Sequence, residues 1–382
     1  MRRSNHLGLF LYNRRLISLF KLVIKRKGII FFIVLFGFKG FMLKGESIDI
    51  VSSLRIRIPP AEGQFHERFL NPPLPILEGY NEEIIVWRGS FLQVYSKEGQ
   101  PVKKLGRAGE GPGEFYVVSG MDKANRLYYF LDVPNKLNIF NKNFDYKKRL
   151  FLGGEKSSPI IFDLAIYENT IVAAQRWRTD MKNLWPPTSS PEKSKTISIY
   201  DTDGKWLDSF FEVKKGWKII PDDSILGGRI IIINKAIYFA YQSINCIWKF
   251  NPKGDLIKEK CFGKDWWQKV KYTKKDDLKK RKSPGSTSKF YEEISNSGDT
   301  IGRIYNYKNH LLLNIFRVHD ESAKTFIFLL DLGLEKEEGP LFLEGYHLAG
   351  AGEEYLYFTK YLGEYSPFND QDIEILKCTI NR

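Results

Sequence analysis

Cysteine and histidine are scarce in this chain of 382 residues, which has three cysteines and five histidines. No two cysteines have the Cys-x-x-Cys spacing of a zinc ribbon or a redox motif. No histidines have the His-Glu-x-x-His spacing of a zinc protease, and a Gly-x-Ser-x-Gly nucleophile motif is absent. The sequence therefore identifies no catalytic residue and no metal ligand.

Long apolar runs are also absent. The uninterrupted apolar run 28–38 has 11 residues, whereas a membrane-spanning helix needs about 20. This run follows the basic residues Lys25, Arg26 and Lys27 and precedes the small residues around Gly45. The pattern predicts a signal peptide over 1–47, with an uncleaved N-terminal anchor as the alternative. We expect an exported protein, either periplasmic, extracellular or envelope-associated, with no membrane contact outside this segment.

The positive charge is confined to two stretches. The formal net charge is +14, of which residues 1–47 carry +9 and residues 264–282 carry +6, which leaves −1 for the rest. A nucleic-acid-binding protein needs a basic face that is part of its fold. The distribution therefore excludes nucleic acid as an expected partner.

A short unit recurs along the rest of the chain. Each copy has a first strand rich in Ile, Val, Tyr and Phe, a turn and a second strand, and a polar turn follows all but the last copy. In three copies this polar turn ends in a Gly, which supplies the positive φ that a tight hairpin needs. The predicted first strands are Ile84–Trp87, Leu127–Asp132, Thr170–Gln175, Ile237–Tyr241, Leu311–Phe316 and Tyr355–Thr359. The predicted second strands, with the turns that follow them, are Leu92–Gly99, Leu137–Phe144, Ile197–Gly204, Ile247–Gly254, Ile327–Leu334 and Ile373–Cys378.

The spacing of these units favours a propeller over a sandwich. Equivalent positions from Tyr95 to Leu376 are separated by 45, 60, 50, 80 and 46 residues. A base unit near 45 fits a four-stranded blade, whereas sandwich strands recur about every 8–12 residues. The sequence therefore predicts an all-β, six-bladed β-propeller over 48–382.

The ends of this domain suggest how the ring closes. We label the strands of a blade A to D from the axis outward. The sixth unit has no strand D after it, and an unassigned strand, Ile48–Ile58, precedes the first unit. We predict that this N-terminal strand completes the sixth blade, which would cover an exposed sheet edge.

The segment Gly106–Phe115 (GRAGEGPGEF) closely resembles the inter-blade signature of bacterial six-bladed propeller proteins related to the NHL repeat (the TolB-like/NHL group). Leu127–Phe140 resembles the core of that repeat, although Lys136 stands where the repeat usually has Arg. The resemblance implies a propeller that is often a recognition module, while some relatives are lyases or hydrolases. The segment matches no phosphate-loop motif, so we assign its residues the structural role of shaping the crossing between blades. These residues are Gly106, Gly109, Gly111, Pro112, Gly113 and Phe115.

One face of the predicted propeller collects the longest loops. The B–C turns and the D-to-A crossings open on the same face. The longest segments all belong to these connections and are 176–195, 264–300 and 360–371. Segment 264–300 lies in a charged inter-blade insertion that we predict over 263–300. Loops on a rigid scaffold commonly carry binding residues, and exposed Trp, Tyr and Arg suit recognition. The alternative is that these aromatic residues fasten their own loops to the propeller. The candidate binding residues are Arg107, Arg176, Trp177, Arg178, Trp185, Trp266, Trp267 and Tyr361.

Two functions fit this sequence. The first is a non-catalytic binding or scaffold propeller, a monomer without a cofactor, that recognises a protein, peptide or glycan on its long-loop face. The second is a metal-dependent hydrolase or lyase with calcium or zinc at the mouth of the central channel, because one residue from each blade can build a site that leaves no linear motif. The sequence also leaves open whether Cys246 and Cys261, on paired strands, form a disulfide.

Overall fold

The protein is a six-bladed β-propeller, as predicted. The computed structural model describes residues 49–58, 75–89, 91–153, 159–177, 195–212, 228–263, 266–268, 298–319, 322–343, 345–362 and 372–381. Within these ranges the chain forms six four-stranded sheets. Val51–Thr379 is one compact unit, and the described residues outside it are the end residues of two strands. In the part of the chain that the structure describes, no helix has the length and hydrophobicity needed to cross a membrane.

Each of the first five blades uses four consecutive strands. Around the axis, the first strands of blades 2 to 6 contact those of the next blade, and the first strand of blade 6 contacts that of blade 1. Blade 1 contains β2 (Ile76–Glu78), β3 (Ile84–Trp87), β4 (Leu92–Tyr95) and β5 (Pro101–Leu105). Blade 2 contains β6 (Val118–Ala124), β7 (Leu127–Asp132), β8 (Lys136–Asn141) and β9 (Tyr146–Phe151). Blade 3 contains β10 (Pro159–Tyr167), β11 (Thr170–Trp177), β12 (Ile197–Asp201) and β13 (Trp206–Phe210).

The remaining blades follow the same order, except that the first strand of the chain is the outer strand of the last blade. Blade 4 contains β14 (Gly228–Ile233), β15 (Ala236–Tyr241), β16 (Cys246–Phe250) and β17 (Leu256–Cys261). Blade 5 contains β18 (Asp299–Tyr307), β19 (His310–His319), β20 (Ser322–Asp331) and β21 (Glu337–Leu343). Blade 6 contains β22 (His347–Ala351), β23 (Leu356–Leu362), β24 (Asp372–Asn381) and β1 (Asp49–Ile58).

The C–D turns explain why the sequence unit repeats. A side-chain oxygen of Asn141, Asp201 or Asn251 accepts hydrogen bonds from the backbone N–H groups two and four residues later. The fourth turn residue has positive φ, which glycine adopts without strain. Two blades use buried Phe144 and Leu334 at this position, with φ of 64° and 57°, so side-chain packing offsets the cost there. The other three blades with this turn use Gly99, Gly204 and Gly254.

Ring closure by the N-terminal strand is confirmed. The sheet order β1-β24-β23-β22 places β1 as the fourth strand of blade 6. Ile56 of β1 is buried and packs against Gly99 in the C–D turn of blade 1. In the same seam, the buried Tyr357 hydroxyl donates a 2.6 Å hydrogen bond to the Glu78 carboxylate of blade 1. The first and last blades are therefore joined by apolar packing and by a buried polar contact.

Cys246 and Cys261 form a disulfide. They lie directly opposite each other on β16 and β17. A β-bulge in this hairpin leaves Ile257 without a partner on β16 and shifts the register by one residue. Equivalent bulges occur in the C–D hairpins of blades 1, 2 and 3. Because of this shift Cys246 lies opposite Cys261. Counting residues outward from the turn without the bulge would place the two cysteines one residue out of register.

Candidate functional site

The inner strands carry β-bulges at equivalent points. Among the described residues, β6, β10, β18 and β22 each have one bulge, and the residues without a partner on strand B are Ser119, Phe162, Gly302 and Ala349. A bulged residue is left out of the hydrogen-bond ladder. Its carbonyl oxygen is therefore available to side chains in the central channel.

Two arginines use these carbonyl groups. Arg229 of β14 donates from Nη1 to the Phe162 carbonyl oxygen at 3.2 Å. Arg303 of β18 donates from Nη2 to the Ser119 carbonyl oxygen at 2.8 Å. Because Arg303 belongs to blade 5 and Ser119 to blade 2, the second hydrogen bond crosses the ring. We call the charged and phenolic groups gathered here the axial cluster: Asp122, Asp163, Arg229, Arg303 and Tyr305.

Several polar atoms of this region are buried without a partner. Arg229 and Tyr305 are each 8% exposed. Nε of Arg229, Nε of Arg303, and the hydroxyls of Tyr305 and Ser119 have no hydrogen-bond partner among the described residues. Buried polar groups normally have a partner, either in the protein or in an ordered bound species. The channel therefore contains an unused set of hydrogen-bond donors.

The two carboxyl groups of the cluster differ in their surroundings. Burial raises the pKa of Asp163, and the guanidinium groups of Arg303 and Arg229 partly offset this effect. Burial also raises the pKa of Asp122, to about 7, although its oxygens accept hydrogen bonds from the backbone N–H groups of Ile166 and Lys123. Burial and the charge of Arg303 lower the pKa of Arg229 to about 10. Arg229 therefore keeps its charge at neutral pH, while Asp122 is only partly ionised.

This donor set does not fit a calcium or zinc ion. A divalent cation needs several converging carboxylate or imidazole groups, but here Asp163 lies beside two guanidinium groups and both Asp122 oxygens accept backbone hydrogen bonds. Elsewhere in the described ranges, one group of three potential metal ligands comes together: Cys246, Glu259 and Cys261. Its two sulfurs are joined in the disulfide. The axis is therefore better suited to an anion than to a metal.

The crossing Gly106–Phe115 links β5 to β6 and is held from several sides. Gly106 has φ of 71°, and a Cβ there would lie 2.5 Å from the Phe115 ring. Phe115 is fully buried among the aromatic rings of blades 1 and 2. Arg149 of β9 donates hydrogen bonds to the carbonyl oxygens of Glu110, Gly111 and Glu114. These contacts fix the backbone of the crossing.

The same crossing presents polar groups to solvent on the long-loop face. The Arg107 side chain is 81% exposed while its Nε donates a 2.6 Å hydrogen bond to Glu114, and this contact lowers the pKa of the Glu114 carboxyl. The Tyr116 side chain is exposed, and the Tyr116 backbone N–H donates a 2.8 Å hydrogen bond to the buried Asp132 carboxylate. We call the surface formed by Arg107, Glu110 and Tyr116 the crossing patch. It combines exposed Arg and Tyr side chains with a rigid backbone.

Trp266 and Trp267 lie against the propeller body. Trp267 is 8% exposed and packs in the core between blades 4 and 5. Trp266 packs on Phe326, and the Arg317 guanidinium lies 4.1 Å from its ring centre. Arg317 also pairs with the buried Asp299 carboxylate at 2.6 Å. This arrangement matches the alternative in which the loop aromatics fasten their own loop.

For some of the remaining candidate residues the structure describes only the backbone, and the others lie outside the described residues. Arg176 and Trp177 are the last residues of β11, paired with Ile160 and Pro159. Tyr361 pairs with Ile373 in blade 6. Arg178 and Trp185 lie outside the described residues, as do the predicted signal peptide over 1–47 and most of the insertion predicted over 263–300.

Sequence reasoning missed the axial cluster. Its residues stand singly in otherwise apolar inner strands, such as Asp163 in PIIFDLAIY and Arg229 in GRIIII. A lone charge inside a predicted buried strand is the signal that could have identified them, because charged residues are rarely buried without a partner.

Comparison with known proteins supports the fold. No family model and no curated protein sequence matches this chain. A member of the DUF4221 family from Bacteroides vulgatus ATCC 8482 is similar in structure, with a TM-score of 0.54 at 12% identity, over 87% of this chain and 98% of that one. A Bacteroides fragilis NCTC 9343 protein described as "Putative exported protein" has a TM-score of 0.53 at 12% identity, over 88% of this chain and 96% of that one. At such identities the similarity concerns the fold alone.

Proposed function

We propose that this protein is an exported, non-catalytic recognition propeller that binds a protein, peptide or glycan on its long-loop face, and that it does so as a monomer. The observation that carries the proposal is the crossing patch. Arg and Tyr are enriched among the residues that dominate binding energy, and here they are exposed on a backbone fixed by Arg149 and Asp132. A surface that is already ordered loses little conformational entropy when a partner binds.

Two features support export. The predicted signal peptide over 1–47 is one, and the Cys246–Cys261 disulfide is the other, since disulfides persist mainly in oxidising compartments. The Bacteroides fragilis protein of similar fold carries a description that mentions export. The GRAGEGPGEF segment and the Asp132 that binds the crossing also support a relationship to NHL-type propellers, which is part of this proposal.

A metal-dependent hydrolase or lyase is the weaker candidate. It would need converging metal ligands at the channel, where the structure has two arginines beside Asp163. We therefore propose no metal cofactor. Elemental analysis of the purified protein tests this point, because one calcium or zinc per chain would favour the enzyme.

Peptide and glycan arrays test the binding function. We expect residues 48–382 to bind a defined class of ligand, and Arg107→Ala with Tyr116→Ala to weaken that binding by about 2 kcal/mol, or roughly thirtyfold. Lys142→Ala is the matched control, because Lys142 is an exposed cation in a C–D turn on the opposite face. Equal loss in the control, or binding unaffected by the patch substitutions, would exclude the crossing patch as the site.

A further inference from the structure

The axial cluster has more positive charge than its neighbours neutralise. Two guanidinium groups, Arg229 and Arg303, lie beside one buried acid, Asp163, and Asp122 is only partly ionised at neutral pH. Lys123, the remaining charged group near Asp122, donates to the Gly79 carbonyl oxygen at 2.9 Å. An uncompensated buried charge is costly. The channel therefore favours a negatively charged occupant.

The unpartnered atoms point to the same conclusion. The Nε–H groups of Arg229 and Arg303 are donors only, and the hydroxyls of Tyr305 and Ser119 can also donate. A water molecule would accept at most two of these hydrogen bonds and would then need acceptors for its own protons. A small anion accepts hydrogen bonds from donors of this kind and also supplies the missing negative charge.

The size of the occupant is limited by its surroundings. All four orphaned atoms are buried from solvent, and Arg229 and Tyr305 are 8% exposed as whole residues. Arg303 crosses the ring to Ser119 and so narrows the channel. Burial of these atoms and the contact across the ring therefore favour a single small ion over a long carboxylate ligand or a nucleotide.

From this geometry we propose that the centre of the propeller is a binding site for one small inorganic anion of chloride size, held by Arg229, Arg303 and Tyr305. The anion joins inner strands of blades 4 and 5 and, through the arginine contacts, blades 2 and 3. The site is independent of the partner surface proposed above, because it lies in the channel and uses none of the crossing-patch residues.

Thermal unfolding of the purified protein in sodium chloride, bromide and gluconate at equal ionic strength tests the proposal. We expect the melting temperature to rise saturably with chloride and bromide relative to gluconate.

Tyr305→Phe removes one donor and should weaken the apparent halide affinity roughly tenfold. In gluconate this variant should be at least as stable as the wild type, because the wild-type Tyr305 hydroxyl is buried without a hydrogen-bond partner when halide is absent. Tyr238→Phe is the matched control: it loses a hydroxyl that donates to the Leu332 carbonyl oxygen at 2.8 Å, and it should lower the melting temperature equally in all three salts.

Crystals soaked in bromide give a second, direct readout. The anomalous difference map should show one peak within hydrogen-bond distance of Nε of Arg229 and Nε of Arg303. The proposal is overturned if the axis shows no peak. It is equally overturned if Tyr305→Phe and Tyr238→Phe respond identically to the three salts.

Discussion

Removing the Cys246–Cys261 disulfide should lower stability by an amount that the structure lets us calculate. The bond closes a loop with a sequence separation of 15, for which loop-closure entropy gives about 3 kcal/mol. The compact unit has about 330 residues, so its unfolding entropy is roughly 0.7 kcal/mol/K and the melting temperature should fall by about 4 °C. Blade 4 should be the first region to lose protection from hydrogen exchange, because both cysteines belong to its outer strands.

The assay is calorimetry and urea unfolding of Cys246→Ala/Cys261→Ala beside the wild type, each with and without reductant. Reduced wild type is the internal control, since it lacks the bond but keeps both side chains. We expect the difference between wild type and variant to shrink strongly in reductant. A difference of the same size with and without reductant would refute the disulfide account and would assign the loss to packing, since Cys246 is 3% exposed.

Three further predictions concern the ring and its buried titratable groups. A chain that begins at Pro60 lacks β1 and should lose cooperative thermal unfolding, because blade 6 would then expose β24 as an edge; unchanged unfolding would refute closure by β1. The Asp122 carboxyl has a pKa raised to about 7, so its contribution to stability is complete below about pH 4 and is lost as pH rises through 7. Asp122→Asn should flatten that part of the stability profile measured in urea. Burial lowers the pKa of His347 to about 4, so its contribution is present above pH 6.5 and is lost as pH falls through 4. His347→Gln should remove this acid-dependent loss, and an unchanged acid limb would show that His347 does not titrate as the structure implies.

Much of the fold could be predicted because its information is local. The C–D turns require a side-chain acceptor at their first residue and a positive φ at their fourth, and both needs are visible as Asp-Thr-Asp-Gly and Asn-Pro-Lys-Gly. The two central strands of each blade are marked by short runs rich in Ile, Val, Leu, Tyr and Phe. Closure by Ile48–Ile58 followed from counting strands, and the sheet order of blade 6 confirms it.

A lone charge in an apolar strand marks single members of the axial cluster, but their meeting at the axis could not be predicted because that information is not local. Asp163, Arg229 and Arg303 belong to three blades, and bulges at Phe162 and Gly302 decide which backbone and side-chain groups meet at the channel. The disulfide depended in the same way on a bulge that shifts register by one residue. For Trp266 and Trp267, position in a long connection left two roles open, and the rings pack inward in the arrangement that was the alternative to a binding role.

Hydrogen–deuterium exchange with a ligand identified on the arrays tests the central claim most directly, because it locates the bound surface without any substitution. The recognition account predicts slower exchange in residues 106–117, which contain the crossing patch, and unchanged exchange in the C–D turn 141–145 on the opposite face. Protection confined to the C–D turns would contradict the account.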